Sequence, residues 1–375
     1  MNLLEGDAKA AVLRPAGIPL GAGAMCRTPA EAEAAAAAIG PVVVKAQVPA
    51  GKRGKSGGIR RADTPDEAAA AAGAILAMEI AGHPVGAVLV EERASIAQEL
   101  YCAVLQDPVS RGPLVLFSTR GGMDIEEVAA EDPAALRRFP VNVLSGFGTV
   151  EAGALVAGLG LGPAEAAVAD ILARLYACFV QNDAELVEIN PLAILADGQV
   201  RALDCKLVLD DSALFRQPTL AALGAEEPLT ALERRGQDLG LKYIELDGEV
   251  GVLANGAGLT MSTMDAIRHL GGRPANFLEI GGEAYTKAEP ALALVLDNPR
   301  VRSLIVNFCG AFARTDVMAA GVVAAWEKLR PGLPVFFSIH GTGEDEAVRL
   351  VEERLGQRPF DVMDDAVRAA VEAAR

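Results

Sequence analysis

Apolar and polar positions along the chain fall into two rhythms, and the change comes near residues 225–242. In the first stretch the order is irregular. An alanine-rich segment over 29–39, stopped by Gly40, predicts a helix whose glycine suits the C-terminal cap. The β-branched run 41–47 predicts a strand, 49–58 a loop, 65–81 a second helix and 87–91 another strand. Apolar runs over 99–106 and 114–118 flank Asp107-Pro108-Val109-Ser110-Arg111-Gly112-Pro113, which predicts an antiparallel hairpin with a long loop. A helix is expected over 163–180. A second hairpin is expected from 185–190 and 192–195, through the turn Asp197-Gly198, to 200–207. Hairpins with few helices read as α+β.

Beyond residue 242 strand and helix alternate. Strands are predicted over 249–255, 276–280, 301–307 and 334–339, helices over 260–270, 287–296, 316–329 and 344–355, and a last helix from Asp364. That alternation is the mark of an open, mostly parallel sheet covered on both faces. With 375 residues, more than one core is expected. The two domains are placed at 1–225 and 242–375.

Composition narrows the function. Hydrophobic residues make up 51% and charged residues 22%, enough apolar surface to exclude a disordered chain. With 34 basic against 50 acidic residues and a net charge of -16, general binding to nucleic acid or anionic membranes is excluded. The opening Met1-Asn2-Leu3-Leu4-Glu5-Gly6-Asp7 is no secretory signal, and no apolar run reaches the ~20 residues of a membrane span, so a cytoplasmic protein is expected. Cys26, Cys102, Cys178, Cys205 and Cys309 are scattered with no C-x-x-C pair. They read as buried, reduced thiols rather than a zinc site or a disulfide framework.

Three constellations carry chemistry. Gly51-Lys52-Arg53-Gly54-Lys55-Ser56-Gly57-Gly58 is a basic, glycine-rich loop after the strand holding Lys45, where amides and cations could receive phosphate or form only a solvated turn. It is not a Walker loop, because a strand and not a helix is expected after it. Asn190 and Asp204, on paired strands, offer hard oxygens that magnesium accepts, or are ordinary strand-end polar residues. In the C-terminal part Asn255-Gly256-Ala257-Gly258, Gly281-Gly282 and Gly310-Ala311-Phe312-Ala313-Arg314-Thr315 each follow a strand, where ligands bind in open parallel sheets. The helix start after Gly310 is also expected to offer amides to an anion.

These pieces occur in order with Met1-Asn2-Leu3, Arg120-Gly121-Gly122-Met123-Asp124-Ile125-Glu126-Glu127, Glu188-Ile189-Asn190-Pro191-Leu192, Ala213-Leu214-Phe215-Arg216-Gln217-Pro218, Leu246-Asp247-Gly248, Asn255-Gly256-Ala257-Gly258-Leu259 and Pro274-Ala275-Asn276-Phe277-Leu278. The series covers nearly the whole chain and resembles the β subunit of ADP-forming succinyl-CoA synthetase and its relative malate–CoA ligase. The resemblance implies an α/β and α+β multidomain protein, with an N-terminal ATP-grasp domain followed by a flavodoxin-like CoA-ligase domain. It implies that Lys45, Lys52, Arg53 and Gly54 hold nucleotide phosphates, that Glu91, Ala94 and Glu99 complete the nucleotide site, and that Asn190 and Asp204 ligate Mg2+. Glu188 would orient a phosphohistidine, and Asn255, Ala311, Phe312 and Ala313 would line the carboxylate pocket. The implied co-substrates are ATP, with GTP not excluded, and CoA. The implied partner is an α subunit that carries the phosphohistidine and the CoA site, in an αβ or α2β2 assembly.

The histidines agree with a divided active site. His83 falls in a Gly-His-Pro turn and His269 ends a helix, neither near a phosphate-binding element; His340, in Ser338-Ile339-His340-Gly341-Thr342-Gly343, is the one placed to meet substrate. The chain also departs from the family. Gly310-Ala311-Phe312-Ala313-Arg314-Thr315-Asp316 stands where Gly-Gly-Ile-Val-Arg-Cys-Asp or Ala-Gly-Ile-Asn-Arg-Cys-Asp is usual. Ser338 and His340 replace Arg and Glu, and Pro49 replaces His. Most of these changes cluster by the carboxylate segment, so a short acid other than succinate, such as malate or a related hydroxy acid, is expected. Two other readings stay open: a stand-alone ATP-grasp carboxylate–amine ligase, and a nucleotide-binding subunit without turnover.

Overall fold

Two helices with the same opening set the first layer. Thr28 Oγ accepts the Glu31 amide at 3.2 Å while the Glu31 carboxylate takes the Arg27 amide at 2.7 Å, and Pro29 occupies the first helical turn of Pro29–Ile39. Thr64, Pro65 and Glu67 repeat the arrangement at the start of Pro65–Leu76. Both helices turn alanines inward (Ala32, Ala36, Ala68, Ala72), so they lie close together against one sheet. That sheet has the order Gly23–Cys26, Val88–Glu92, Val42–Ala46, Ile59–Ala62, all antiparallel. The second helix stops at Leu76 rather than at 81, because Glu79–Ile80 and His83–Pro84 close a tight hairpin. Its turn residues Ala81 and Gly82 both take positive φ, which ends any helix.

The computed structural model describes residues 1–51, 53–225, 229–281 and 287–375. The chain divides into two compact units, Met1–Pro228 and Leu229–Arg375. Within the first unit a larger antiparallel sheet runs Asn2–Leu3, Lys206–Leu209, Ala184–Leu195, Ile96–Asp107, Gly112–Ser118, Arg137–Pro140. Val200–Ala202 pairs separately with Ala184–Leu195. The hairpin predicted around 107–113 forms with Tyr101 opposite Ser118. The two runs predicted at 185–190 and 192–195 are one strand. Its pairing shifts between Ile189 and Leu192, which leaves Asn190 and Pro191 outside the ladder, as a proline without an N–H requires. The helix Glu165–Gln181 buries Val168, Ile171, Leu172, Leu175 and Phe179 against this sheet. The hydrophobic pattern did not disclose Ile125–Glu131, Thr149–Val156 or Arg137–Pro140.

The second unit has the expected parallel sheet, with Val250–Ala254, Ser303–Gly310 and Val335–Gly341 in register. Single parallel bridges add the chain around Asn276–Leu278 on one side and Phe360 on the other. The first two elements are therefore swapped in space relative to sequence, the order of flavodoxin-like sheets. Tyr243–Glu245 adds one antiparallel edge strand to Asn276–Leu278. Ala288–Leu296, Thr315–Leu329 and Glu344–Leu355 cover one face, and Ala257–His269 with Met363–Ala374 the other. The segment read as a linker holds a helix, Ala231–Asp238, started by a reciprocal Thr230/Glu233 cap. Among the described residues no helix is long and apolar enough to cross a membrane.

Candidate functional site

Between the two sheets of the first unit lies a cleft of about 600 Å³, lined among others by Arg53, Gly54, Glu99, Glu188, Asn190 and Asp204. Its size is that of a site for a nucleotide-sized ligand. The loop after Val42–Ala46 supplies Arg53 and Gly54. Ile96–Asp107 supplies Glu99, Ala184–Leu195 supplies Glu188 and Asn190, and Asp204 follows Val200–Ala202. Six candidates from four separate segments therefore line one cleft. Lys52 lies outside the described residues.

Behind that wall is a buried ion network. Lys45 Nζ is 3.0 Å from Glu5 Oε1 and 2.8 Å from Glu91 Oε2, and it donates to the Leu203 carbonyl. Lys9 Nζ reaches Glu5 at 2.7 Å, both oxygens of Glu91 at 2.8 and 2.9 Å, and the same carbonyl at 2.9 Å. Arg53 donates to Ala46 O at 2.9 Å, to Asp204 at 2.9 and 3.0 Å, and lies 2.8 Å from Glu5 Oε2. Three cations thus face three carboxylates. Burial alone pushes the Glu5 carboxyl up, but Lys45, Lys9 and Arg53 hold it well below the usual carboxylate range. Burial likewise disfavours charge on Lys45, and Glu5 and Glu91 overcome it, so the ammonium is raised above its ordinary value. Glu91 was expected to face the nucleoside; here both its oxygens are engaged by lysines. Ala94 does not line the cleft. It borders a separate depression with Pro41, Arg61 and Arg93.

Glu5 and Lys9 were missed from the sequence. The signal was present: a Glu and a Lys one helical turn apart in a segment where Ala8, Val12 and Leu13 are apolar. Neither charge could stay buried without a partner elsewhere.

Glu188 is held differently. Tyr101 donates to its Oε2 at 3.0 Å, and burial raises the carboxyl above its ordinary value, a shift that this hydrogen bond opposes. Burial and the Glu188 carboxylate raise the Tyr101 hydroxyl in turn. Asn190 Oδ1 accepts the Gly122 amide at 2.7 Å and its Nδ2 donates to Met123 O at 2.9 Å. Gly121 and Gly122 make that approach possible. A Cβ on Gly121 would collide with the Leu100 backbone and one on Gly122 with the Glu99 carboxylate, and Gly122 has φ of +72°.

In the second unit the candidates sit at the carboxyl ends of the parallel strands. Asn255 and the Cys309 backbone exchange two hydrogen bonds, at 2.9 and 2.7 Å. Ala311 and Phe312 are exposed, Phe312 entirely, and Ala313 is half-buried. The helix start is not free for an anion. The Thr315 amide donates to Thr342 O at 2.8 Å, and Asp316 is held below its ordinary pKa by Arg314, with help from the amides of Val317 and Asp316. Gly281 packs against the Gly256 backbone, whereas Gly282 lies outside the described residues. His340 Nδ1 is 3.4 Å from Glu344. The expectation of five buried thiols is corrected. Cys26, Cys102, Cys178 and Cys205 are buried, but Cys309, next to last in its strand, is exposed where the sheet opens to solvent.

The family profile of the ATP-grasp domain matches residues 2–194, and that of CoA-ligase matches residues 253–372. Succinate–CoA ligase [ADP-forming] subunit β of Chloroflexus aurantiacus is 43% identical over 364 residues, covering 96% of this chain and 95% of its own. The subunit of the same name from Rubrobacter xylanophilus is 44% identical over 358 residues, 94% of each chain. Succinate–CoA ligase [GDP-forming] subunit β of Thermus thermophilus is 43% identical over 356 residues, 94% of this chain and 93% of its own. Among solved structures, ATP citrate lyase from Methanothrix soehngenii, in complex with citrate and coenzyme A, superposes with a TM-score of 0.74 at 23% identity over 99% of both chains, a likeness of fold.

Proposed function

The chain belongs to the family of succinate–CoA ligase β subunits, and from that premise we propose that it is the nucleotide-handling half of an acid–thiol ligase. The enzyme joins succinate or a related short acid to CoA through an acyl phosphate, with ATP converted to ADP and the phosphate released when the CoA thiol displaces it. One observation carries the reading: Arg53, Gly54, Glu99, Glu188, Asn190 and Asp204 line one cleft. Lys45, Lys52, Arg53 and Gly54 hold the phosphates and Glu99 faces the nucleoside, while Glu91 acts from behind the cleft by holding Lys45 and Ala94 lies outside it. The family includes both ADP- and GDP-forming members, so ATP is the first nucleotide to try.

The oxygens of Asn190 and Asp204 suit Mg2+, a hard cation that completes its shell with water and phosphate oxygens. When bound, the metal supplies charge neutralisation on the transferring phosphoryl group. Glu188, kept in place by Tyr101 and raised by burial, accepts a hydrogen bond from the imidazole of an incoming phosphohistidine. That histidine belongs to an α subunit, which also holds CoA, in an αβ or α2β2 assembly in the cytoplasm. None of His83, His269 and His340 lines the cleft.

Asn255, Ala311, Phe312 and Ala313 form the carboxylate pocket. His340, at the neighbouring strand end, offers an imidazole to the hydroxyl of an acid such as malate. Co-expression with the α subunit and CoA-dependent ADP release on a panel of acids tests both points. The expected result is turnover by the complex only, faster with malate than with succinate. Acyl-CoA formed by this chain alone overturns the two-subunit reading, and a strong preference for succinate overturns the choice of acid.

A further inference from the structure

Glu5 and Lys9 have no part in the reading above, yet they sit at the centre of the buried network. Glu5 meets all three cations: Oε1 accepts from Lys9 at 2.7 Å and from Lys45 at 3.0 Å, while Oε2 lies 2.8 Å from Arg53 but accepts no hydrogen bond from the described residues. Glu91 touches only the two lysines among these cations, and Asp204 pairs with Arg53. Glu5 is thus the carboxylate that bridges all three. An anion with two or more oxygens shared among several cations is what a phosphate group offers at a binding site.

The three carboxylates differ in how they are held. Glu91 is in the strand Val88–Glu92, paired on both sides, and Asp204 also accepts the Cys205 amide at 2.7 Å. Glu5 opens a helix, Glu5–Ala8, that continues as a wider turn over Lys9–Leu13, and its N-cap has no side-chain hydrogen bond. The cations and carboxylates here already balance. A phosphate entering beside Lys45 and Arg53 therefore either meets a net negative cluster or displaces one carboxylate, and Glu5 is the one whose departure frees bonding positions on every cation.

We propose that Glu5 is an internal stand-in for nucleotide phosphate: its carboxylate holds Lys9, Lys45 and Arg53 together and gives way when phosphate enters. Lys9 then turns from a partner of Glu5 into a phosphate-site cation. Nucleotide affinity is set by competition with this chain's own side chain. The proposal rests on the cleft being the nucleotide site.

The test is calorimetric titration of the αβ complex with ADP and with pyrophosphate, on wild type and Glu5→Gln, alongside thermal unfolding with and without pyrophosphate. Glu5→Gln should bind both ligands about ten-fold tighter, a change of about 1.4 kcal/mol. Its midpoint should lie below wild type without anion, and pyrophosphate should raise it by more than it raises wild type. A residue that only supports the fold would lower the midpoint without tightening ADP. Equal or weaker ADP binding by Glu5→Gln, with wild type binding normally, overturns the stand-in and leaves the nucleotide site standing. Failure of wild type to bind ADP overturns both. If Glu5→Gln does not fold, Glu5→Asp, which keeps the charge but shortens its reach, must also bind ADP more tightly; unchanged or weaker binding overturns the proposal.

Discussion

The cleft of the first unit and the strand ends of the second unit meet the same electrostatic problem under opposite conditions. At each, a carboxylate of this chain occupies positions that an incoming anion could use: Glu5 among Lys9, Lys45 and Arg53, and Asp316 between Arg314 and the helix amides. The first cluster is buried, whereas in the second Arg314 is exposed and Asp316 half-buried. Desolvation makes every charge in the cleft depend on its partners, whereas water and salt screen the pair on the surface. Losing a partner should therefore cost stability in the cleft and little at the surface.

Removing one partner from each cluster is the strongest way to break this contrast. Lys45→Ala leaves Glu5 and Glu91 short of a cation in the interior and should cost about 3–5 kcal/mol in urea unfolding. Arg314→Ala should leave the urea midpoint unchanged within error. Comparable losses would show that burial is not what separates the two sites. Next in size is Tyr101→Phe, which removes the hydrogen bond that opposes the burial-driven rise at Glu188. The Glu188 carboxyl should then titrate higher still, and the acid limb of the pH–rate profile of the αβ complex should move to higher pH. A profile that shifts to lower pH or stays fixed contradicts the role given to that bond.

Thiol chemistry sharpens the comparison more gently. Cys309 should react first with an aromatic disulfide under native conditions, one equivalent per chain, and Cys309→Ser should abolish the fast phase. Cys178, pushed up to about 11 by burial, and the other interior thiols should wait for unfolding. The smallest effect belongs to Asp183, which Arg216 and Gln217 hold down to about 2. Its folded pKa lies below the unfolded value near 4, so its contribution is full above about pH 4 and fades as pH falls toward 2. Asp183→Asn should flatten the stability curve in that window, and less so in high salt.

Much of this architecture was legible in the sequence because the local signals agreed with the global ones. Thr-Pro openings with Glu two residues on, the Asp107-to-Pro113 turn and the alternation after residue 242 all mark elements that the structure contains. Short helices such as Ile125–Glu131 escaped, since their amphipathic pattern spans fewer than two turns. In the site Arg53, Asn190 and Asp204 line one cleft, while Glu5 and Lys9 carried only the weak signal of a Glu and a Lys one helical turn apart. Their importance comes from partners about 40 to 200 residues away, a relation no local window contains. Cys309 was misjudged for the converse reason. Its apolar neighbours describe a buried strand, and only the end of the sheet exposes it.

One amide side chain in the second unit sets where that unit can part. Asn276 accepts the Val252 amide at 3.1 Å and donates to the Val252 carbonyl at 2.8 Å, both fully buried, where a continuous backbone ladder would otherwise run. The edge pair Asn276–Leu278 and Tyr243–Glu245 is therefore fastened to the parallel strands by backbone bonds at its two ends, Ala275 to Val250 at 2.8 Å and Ile280 to Ala254 at 2.9 Å, with a side chain alone between them. Such a joint is a seam. Amides of the edge pair should exchange with solvent through a partial opening that leaves Val250–Ala254, Ser303–Gly310 and Val335–Gly341 closed.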